Sequence, residues 1–352
     1  MITVLLTDGE FTGLIRTLRA AYGSEIRIIG LSSNHNMPQQ AMLDGSYFVT
    51  PHTDPQYLPS LFEILKKESV DYIFPIVTEG LELISEKKDE IFDETGAKVI
   101  SAPLQALQTA NDKGLLYQHF KENKTKLQNI VPEYYFADTK QQMLDGIRKI
   151  EKNGKQPCIK KRRGEDAGGF WKIDNQADYV HRLFFEPASR MLSVDMLSVV
   201  LDTLSSDDPI PPYLVCEYLP GEEWDCDVLA KDGKLLCVTT RINVQMSGGL
   251  TTVLEVKPNR ELADYCTQIV ADLGLSYVSC ISFKKDQNGS FRLLEINPRM
   301  MGNIYVSCLA GNNYAKLSID LFEGKNVHIH PVKSNIRTSM YYDQIQIPTD
   351  EK

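Results

Sequence analysis

Short apolar runs alternate with amphipathic stretches along the first hundred residues, and this alternation constrains the fold more than any other feature of the sequence. Ile2–Leu6 is predicted to be a strand, and a helix is expected after Gly13, through Leu14, Leu18 and Ala21. Strands and helices that alternate at this spacing form a parallel sheet with helices on both faces. We therefore predict an α/β domain over residues 1–105. Its further strands are expected at 25–31, 72–77 and 98–101, and its further helices at 58–67 and 81–93.

A second region, residues 106–215, alternates less regularly. The pattern is helical from 104 to 122, and Pro132 then breaks it. An apolar strand at Pro157–Lys161 precedes a glycine-rich loop, a helix at 178–185 and a strand at 213–219. The stretch 205–212 is acidic and rich in proline, which is typical of a surface loop.

The third region, residues 216–352, contains longer strands. Asp232-Gly233 and Asn288-Gly289 are predicted to be hairpin turns, because such pairs tolerate the positive φ angles that two-residue turns require. One helix is expected at 261–273, so this part of the chain has α+β character. The predicted strands are 226–231, 235–244, 249–256, 279–284 and 291–296.

Charge and cysteine content exclude several classes of protein. The 352 residues include 47 acidic and 38 basic ones, a net charge of −9, which argues against a coat for nucleic acid or an anionic membrane. No apolar run approaches the ~18 residues of a membrane span, and the N-terminus lacks the basic start of a signal peptide. The seven cysteines form no C-x-x-C pair and lie mostly in apolar stretches, as buried thiols do in a reducing compartment. A cytoplasmic location is expected.

Two lysines and a glycine-rich loop indicate phosphate binding. Lys113 lies at a helix, and Lys160 lies near the end of an apolar strand. The loop that follows contains Gly164, Gly168 and Gly169, whose backbone N–H groups could close over phosphates. The sequence has no G-x-x-x-x-G-K-[ST] motif, and no G-x-G-x-x-G follows the first strand. A basic surface turn beside an ordinary glycine linker is the alternative, and these residues alone leave it open.

The segment from Glu217 to Trp224 begins at the end of a predicted strand and continues into a hinge that mixes polar and apolar residues. Backbone groups at such a hinge can bind the edge of an adenine while apolar side chains pack on its faces. A carboxylate a few residues further on can accept hydrogen bonds from both ribose hydroxyls. An acidic hairpin is the alternative, and it is the better interpretation of this segment taken alone.

The sequence Leu294-Glu295-Ile296-Asn297-Pro298-Arg299 gives the sharpest signal. Strand alternation places Glu295 and Asn297 on one face, and a carboxylate with an amide oxygen suits Mg²⁺. Arg299 follows directly and is placed to contact a phosphoryl group. An edge strand with exposed polar residues is the alternative, but the apolar neighbours indicate that the carboxylate is buried and needs a partner.

Taken in order, these motifs resemble those of the ATP-grasp superfamily. The closest branch comprises the large chain of carbamoyl-phosphate synthase and the biotin-carboxylase-like ligases. The resemblance spans nearly the whole chain. It implies a Rossmann-like pre-ATP-grasp domain at 1–105, a linker helix with the lid subdomain at 106–215, and a C-terminal ATP-grasp subdomain at 216–352.

The same resemblance implies roles for individual residues. Lys113 and Lys160 would hold the α- and β-phosphates of ATP, beneath the loop that contains Gly164, Gly168 and Gly169. Glu295 and Asn297 would bind Mg²⁺, for which Mn²⁺ could substitute. The remaining implied roles are adenine binding by Glu217, Tyr218 and Leu219, ribose binding by Glu223, and contact with the γ-phosphate or an acyl phosphate by Arg241 and Arg299.

Two positions depart from the pattern of that superfamily. Lys161 occupies the place where proline is common, and this makes the loop more cationic. Ser282 occupies the upstream metal-ligand position, where Asp or Gln is usual, and a hydroxyl is a weaker ligand. Two Mg²⁺ sites are therefore less firmly expected than one.

The expected function is that of an ATP-dependent ligase. It would activate a small-molecule carboxylate as an acyl phosphate and join it to an amine or a similar nucleophile, with no nucleic-acid or membrane partner. A homodimer is possible. A regulatory module that binds nucleotide without turnover is the rival, and Ser282 favours it. A nucleic-acid patch at Lys160 to Arg163, with Phe170 and Trp171 nearby, is a third reading, which the net charge and local glycines disfavour.

Overall fold

The computed structural model describes residues 1–123, 125–164, 168–185, 190–204, 210–247, 249–341 and 344. Its strands form three sheets, two of five strands and one of six. None of the helices in these residues is both long enough and apolar enough to cross a membrane.

The first sheet is parallel, in the order β3-β2-β1-β4-β5. This confirms the prediction of a parallel sheet. The expected helix at 81–93 was wrong as a single element, because the backbone at Lys87 leaves helical geometry and two helices result. The strands are β1 (Ile2–Leu6), β2 (Ile26–Ser32), β3 (Gly45–Phe48), β4 (Tyr72–Phe74) and β5 (Lys98–Val99), and the helices are α1 (Thr12–Tyr22), α2 (Tyr57–Glu68), α3 (Thr78–Glu86) and α4 (Lys88–Thr95).

Two helices, rather than the single one expected at 104–122, lead into the second sheet. Asp112 separates them, because its side chain accepts hydrogen bonds from Gly114 N (2.9 Å) and Leu115 N (3.1 Å) and so starts a new helix. The helices are α5 (Leu104–Asn111) and α6 (Lys113–Glu122).

The second sheet has the order β6-β10-β7-β8-β9. Helix α7 buries Met143, Ile147 and Ile150 against its face. The surface loop expected at 205–212 falls largely outside the described residues, which resume at Ile210. The strands are β6 (Tyr134–Ala137), β7 (Pro157–Lys161), β8 (Trp171–Ile173), β9 (Met191–Leu192) and β10 (Tyr213–Glu217), and the helices are α7 (Lys140–Lys152), α8 (Tyr179–Phe185) and α9 (Val194–Leu201).

The third sheet is antiparallel, in the order β15-β14-β11-β12-β13-β16. Both predicted hairpins are present. Asp232-Gly233 is the two-residue turn between β11 and β12 and has φ angles of 49° and 76°. Asn288-Gly289 lies instead in a longer connection between β14 and β15, residues 286–290, in which Gly289 has a φ of 81°. The strands are β11 (Glu223–Lys231), β12 (Lys234–Ser247), β13 (Leu250–Val256), β14 (Tyr277–Lys285), β15 (Phe291–Asn297) and β16 (Arg337–Ser339), and the helices are α10 (Arg260–Leu273), α11 (Tyr305–Leu309) and α12 (Tyr314–Phe322).

The first and third sheets share one hydrophobic core. Val4 and Ile28 of the first sheet belong to the same buried cluster as Leu229 and Val278 of the third. Another cluster joins α5 and α6 to the second and third sheets. The division of the chain into domains stays a prediction, and its proposed boundary after residue 215 falls inside β10.

Candidate functional site

Helix α6 and strands β7 and β15 bring three of the predicted site residues together. Lys113 is the first residue of α6, Lys160 lies in β7, and Glu295 lies in β15. The Lys113 Nζ lies 3.0 Å from Glu295 Oε2 and donates to the Gly164 carbonyl oxygen at 3.3 Å. The ammonium group of Lys113 thus contacts both Glu295, the candidate metal ligand, and Gly164, the first glycine of the loop.

The charged side chain of Lys160 is buried in the protein interior. Lys160 is 8% exposed, and its Nζ donates to Tyr117 Oη at 2.8 Å and lies 3.5 Å from the Leu294 carbonyl oxygen. The Nζ also lies 5.0 Å from the centre of the Tyr117 ring. Within the described part of the chain it forms no ion pair with a carboxylate. Because a buried charge is costly unless it is paired, this ammonium is suited to an anionic ligand.

Glu295 and Asn297 lie on one face of β15, as the sequence predicts. The Asn297 Nδ2 donates to Glu295 Oε1 at 3.0 Å. Burial alone would raise the pKa of Glu295, but Lys113 and the Asn297 amide outweigh it and the pKa falls below its ordinary value. An ionised carboxylate that already balances one cation, with an amide beside it, is a donor set that fits Mg²⁺.

Ser282 lies beside Glu295 in the register of β14 and β15. Its hydroxyl donates to Asp225 Oδ1 at 2.6 Å, so its proton is committed to that carboxylate. The structure therefore adds Asp225, a residue that the sequence did not single out, to the surroundings of the predicted metal ligands.

The hinge after β10 presents backbone groups, while the carboxylate of Glu217 is engaged elsewhere. The Glu217 side chain pairs with Lys155 at 2.5 Å and accepts a hydrogen bond from Glu133 N at 3.2 Å. Tyr218 N donates to Gln156 O at 2.7 Å, whereas Leu219 N has no hydrogen-bond partner among the described residues. This backbone edge is compatible with the predicted adenine contact.

Glu223, the predicted ribose ligand, begins β11. Its carboxylate accepts from Lys284 Nζ at 3.0 Å and from Asn243 Nδ2 at 3.2 Å. Burial raises the pKa of Glu223, and the nearby Asp225 carboxylate adds to the effect against the opposing influence of Lys284. The side chain lies at the start of an interior strand of the third sheet and already accepts hydrogen bonds.

The glycine-rich loop starts from a well-anchored base. Arg162 pairs with Asp112 at 2.8 Å, and Arg163 pairs with Glu82 of α3 at 2.8 Å. Gly164 and Gly169 have φ angles of 141° and 75°, and Gly168 is exposed. The centre of the loop, residues 165–167, lies outside the described residues, so its predicted mobility stays a prediction.

The two predicted arginines occupy different environments. Arg241 is 0% exposed and donates to Asp225 Oδ2 (2.7 Å), Asp227 Oδ2 (3.2 Å) and Asn303 Oδ1 (3.0 Å). Within the described residues, no hydrogen bond or ion pair joins Arg241 to either site lysine or to Glu295. That Arg241 contacts a phosphate stays a prediction, and it requires the hydrogen bonds of Arg241 to Asp225, Asp227 and Asn303 to rearrange.

Arg299 lies where the first sheet meets the third. Its guanidinium lies 5.4 Å from the centre of the Phe11 ring, in the loop after β1, and its Nε lies 3.4 Å from Thr78 Oγ1. It is 4% exposed. Arg299 therefore links the loop after β15 to the N-terminal sheet.

Tyr117 is the main site residue that sequence analysis missed. It is fully buried on α6, four residues after Lys113, and its hydroxyl lies between Lys160 and strand β15. Residues four apart lie on the same face of a helix, so the spacing from Lys113 could have indicated it.

Two family models match the chain. Residues 209–344 match the family described as "ATP-grasp in the biosynthetic pathway with Ter operon". This match covers less than half of the 352 residues. This match contains the hinge and the β15 motif, and residues 4–100 match the PylC-like N-terminal domain. Lys113 and Lys160 lie outside both matches, so their assignment depends on the geometry described above.

Several solved enzyme structures share the fold over almost the whole chain. An N5-carboxyaminoimidazole ribonucleotide synthetase in its ADP complex is 14% identical, with a TM-score of 0.67 over 95% of this chain and 79% of that one. The Staphylococcus aureus N5-carboxyaminoimidazole synthetase with ADP is 15% identical, with a TM-score of 0.66 over 95% and 80%.

A biotin carboxylase from Campylobacter jejuni with β-γ-ATP is also 15% identical, with a TM-score of 0.66 over 95% of this chain and 74% of that one. No curated protein matches the sequence significantly. These likenesses show that the chain shares the fold of those enzymes, the fold that the sequence motifs predicted.

Proposed function

We propose that this protein is an ATP-dependent ligase that activates a carboxylate as an acyl phosphate and joins it to an amine or a similar nucleophile. The buried Lys160 carries the proposal, because its ammonium has neutral hydrogen-bond acceptors and no carboxylate partner among the described residues. An anionic phosphate chain would supply the missing counter-charge.

ATP is proposed to lie between the second and third sheets. Its adenine would meet the backbone at Glu217, Tyr218 and Leu219, and its ribose would meet Glu223. Its α- and β-phosphates would lie against Lys113 and Lys160, beneath the loop with Gly164, Gly168 and Gly169. This placement is supported by the Leu219 N–H, which has no hydrogen-bond partner among the described residues, and by the Lys113 contact with the Gly164 carbonyl oxygen.

Glu295 and Asn297 would hold Mg²⁺, and Mn²⁺ is expected to substitute because it also prefers oxygen ligands. The bound ion would supply positive charge next to the phosphate oxygens. Lys113 now balances Glu295 at 3.0 Å, so we propose that it exchanges this carboxylate for a phosphate when the metal and nucleotide bind. Because Ser282 donates its proton to Asp225, one metal ion is favoured over two.

The proposed reaction has two steps. A carboxylate oxygen attacks the γ-phosphorus, a new P–O bond forms, and the bond to the β–γ bridging oxygen breaks as ADP leaves. The nucleophile then attacks the acyl carbon, the C–O bond breaks, and phosphate departs with the substrate's oxygen while the amine proton is lost. Lys160, Arg299 and, after rearrangement, Arg241 would neutralise phosphoryl oxygens, and the glycine loop would exclude water.

The substrates are proposed to be small molecules, with no nucleic-acid or membrane partner. The acidic net charge of −9 supports that part of the proposal. A cytoplasmic location and a homodimer complete it.

The experiment is a pairwise screen of carboxylic acids, bicarbonate included, with amines for release of ADP and phosphate. The proposal expects ADP only when a matching acid is present together with Mg²⁺. Tight MgATP binding without ADP release from any pair would instead favour the regulatory module, for which the engagement of Ser282 by Asp225 is the supporting observation.

A further inference from the structure

We infer that Tyr117 is a positioning residue, which holds the Lys160 ammonium in place for an anionic ligand and ties it to the strand that carries Glu295. The inference rests on the proposed nucleotide site and names a residue that acts through Lys160.

The hydroxyl of Tyr117 has two hydrogen-bonding roles. It accepts from Lys160 Nζ at 2.8 Å and donates to the Leu294 carbonyl oxygen at 2.6 Å, with the Leu293 carbonyl oxygen at 3.2 Å. Burial raises the pKa of the phenol, so it stays protonated and keeps its role as donor. One hydroxyl therefore joins β7 to β15.

Tyr117 also couples the two lysines. Lys113 and Tyr117 lie one turn apart on α6, and Lys113 reaches Glu295 while Tyr117 reaches the carbonyl oxygen of Leu294, the preceding residue. A shift of α6 would thus move Lys113 and the hydroxyl acceptor of Lys160 together relative to β15. The flexible stem of Lys160 has many rotamers, and a fixed acceptor reduces that freedom before the ligand binds.

The remaining neighbours of Lys160 could not replace this hydroxyl. The Leu294 carbonyl oxygen lies 3.5 Å from its Nζ, at the limit of a hydrogen bond. Among the described residues, loss of the Tyr117 hydroxyl would leave the buried ammonium with the aromatic ring and one distant acceptor.

Tyr117→Phe removes the hydroxyl and retains the ring. We expect its affinity for MgATP, measured by calorimetry, to fall by about tenfold, since hydrogen bonds to charged groups are worth roughly that factor or more. In a Lys160→Met background the same change should alter affinity less than about twofold, because the group that Tyr117 positions is gone.

Tyr314→Phe is the matched control. Tyr314 is equally buried, and its hydroxyl donates to the Asp227 carbonyl oxygen at 2.9 Å, but it contacts no site lysine in the described structure. Tyr314→Phe should therefore leave MgATP affinity unchanged even where it lowers stability. An equal loss of affinity from Tyr117→Phe with and without Lys160, or no loss at all, would overturn the inference.

A measurement without ligand separates this inference from the proposed function. The rate of reductive methylation at Lys160, followed by mass spectrometry on the full chain, should rise several-fold in Tyr117→Phe and not in Tyr314→Phe. An unchanged rate in Tyr117→Phe, or the same rise in both variants, would contradict the positioning role. Failure of the wild type to bind MgATP would remove the proposed function, while the methylation rates would still decide the role of Tyr117.

Discussion

Lys160 illustrates how far single residues could be interpreted from the sequence. The apolar strand before it predicted its position, and β7 confirms that strand at Pro157–Lys161. Its burial and its contact with Tyr117 depend on helix α6, and Tyr117 lies 43 residues earlier in the chain. Such long-range contacts leave no periodic trace, and for the same reason Asp225 was missed beside Ser282.

The first prediction concerns the charge of Lys160. Lys160→Ala should weaken MgATP binding by about 1.5–3 kcal/mol, the typical contribution of a charge-assisted hydrogen bond. Calorimetry measures the change. Lys98→Met is the control, because Lys98 also lies over a tyrosine ring, at 5.4 Å from the centre of Tyr72, but in the N-terminal sheet. Equal affinities of wild type and Lys160→Ala would contradict the placement of the phosphates.

The second prediction concerns the pH dependence of stability at Glu295. Its pKa in the folded chain lies below the ordinary value of 4.5, so its ionised form stabilises the fold. That contribution is present above the ordinary pKa and is lost as the pH falls through the folded pKa. Glu295→Gln should therefore flatten the acid limb of the unfolding free energy in urea titrations. A variant whose stability falls as steeply as the wild type's below pH 4.5 would disprove this.

At the scale of elements, periodicity located most of the long strands and helices. The short edge strand β3 (Gly45–Phe48) was missed because its residues alternate only between partial and full exposure. The break at Asp112 was missed because the helical pattern continues across it, although an Asp followed by a new helical turn is a capping signal. Edge strands and caps depend on neighbours that the pattern does not contain.

The third prediction concerns the base of the glycine loop. Gly169 has φ +75°, and a Cβ there would lie 2.7 Å from Tyr213 Oη and 2.9 Å from Lys161 Cγ. Gly169→Ala should weaken MgATP binding, because relief of this clash moves the loop. Gly154→Ala is the control, since Gly154 has φ +71° and nothing within 4 Å. Both variants should lose about 1 kcal/mol of folding stability, because alanine disfavours the left-handed backbone conformation that each glycine adopts. Identical MgATP affinities in the two variants would argue against a role for this loop.

The whole molecule depends on the docking of the N-terminal sheet against the third sheet. Asn313 Nδ2 donates to the Thr17 carbonyl oxygen at 2.7 Å, and Tyr72 Oη donates to Glu323 Oε1 at 2.8 Å. This contact also holds Arg299 against Phe11. The sequence predicted the separate architectures but not their contact, because the buried faces of both carry ordinary apolar residues.

The fourth prediction tests this docking. A Cβ on Gly13 would lie 2.0 Å from the Gly302 carbonyl oxygen, so Gly13→Ala should destabilise the protein by about 1–3 kcal/mol through overpacking. Gly80→Ala is the control, because Gly80 is also helical but its Cβ would lie 3.6 Å from the His52 Cβ. That variant should be neutral or more stable by about 0.5–1 kcal/mol. Thermal unfolding of both variants checks the difference, and equal shifts would contradict the tight contact.

The central claim is that a carboxylate is phosphorylated by ATP held between the two lysines and Glu295. The most direct measurement uses the acid found in the ADP-release screen, labelled with ¹⁸O in its carboxylate, followed by mass spectrometry of the released phosphate. One ¹⁸O atom per phosphate is predicted, because the phosphate that leaves the acyl intermediate carries one oxygen atom of the substrate's carboxylate. ADP release with unlabelled phosphate would show that the carboxylate was never phosphorylated, and the account would be wrong.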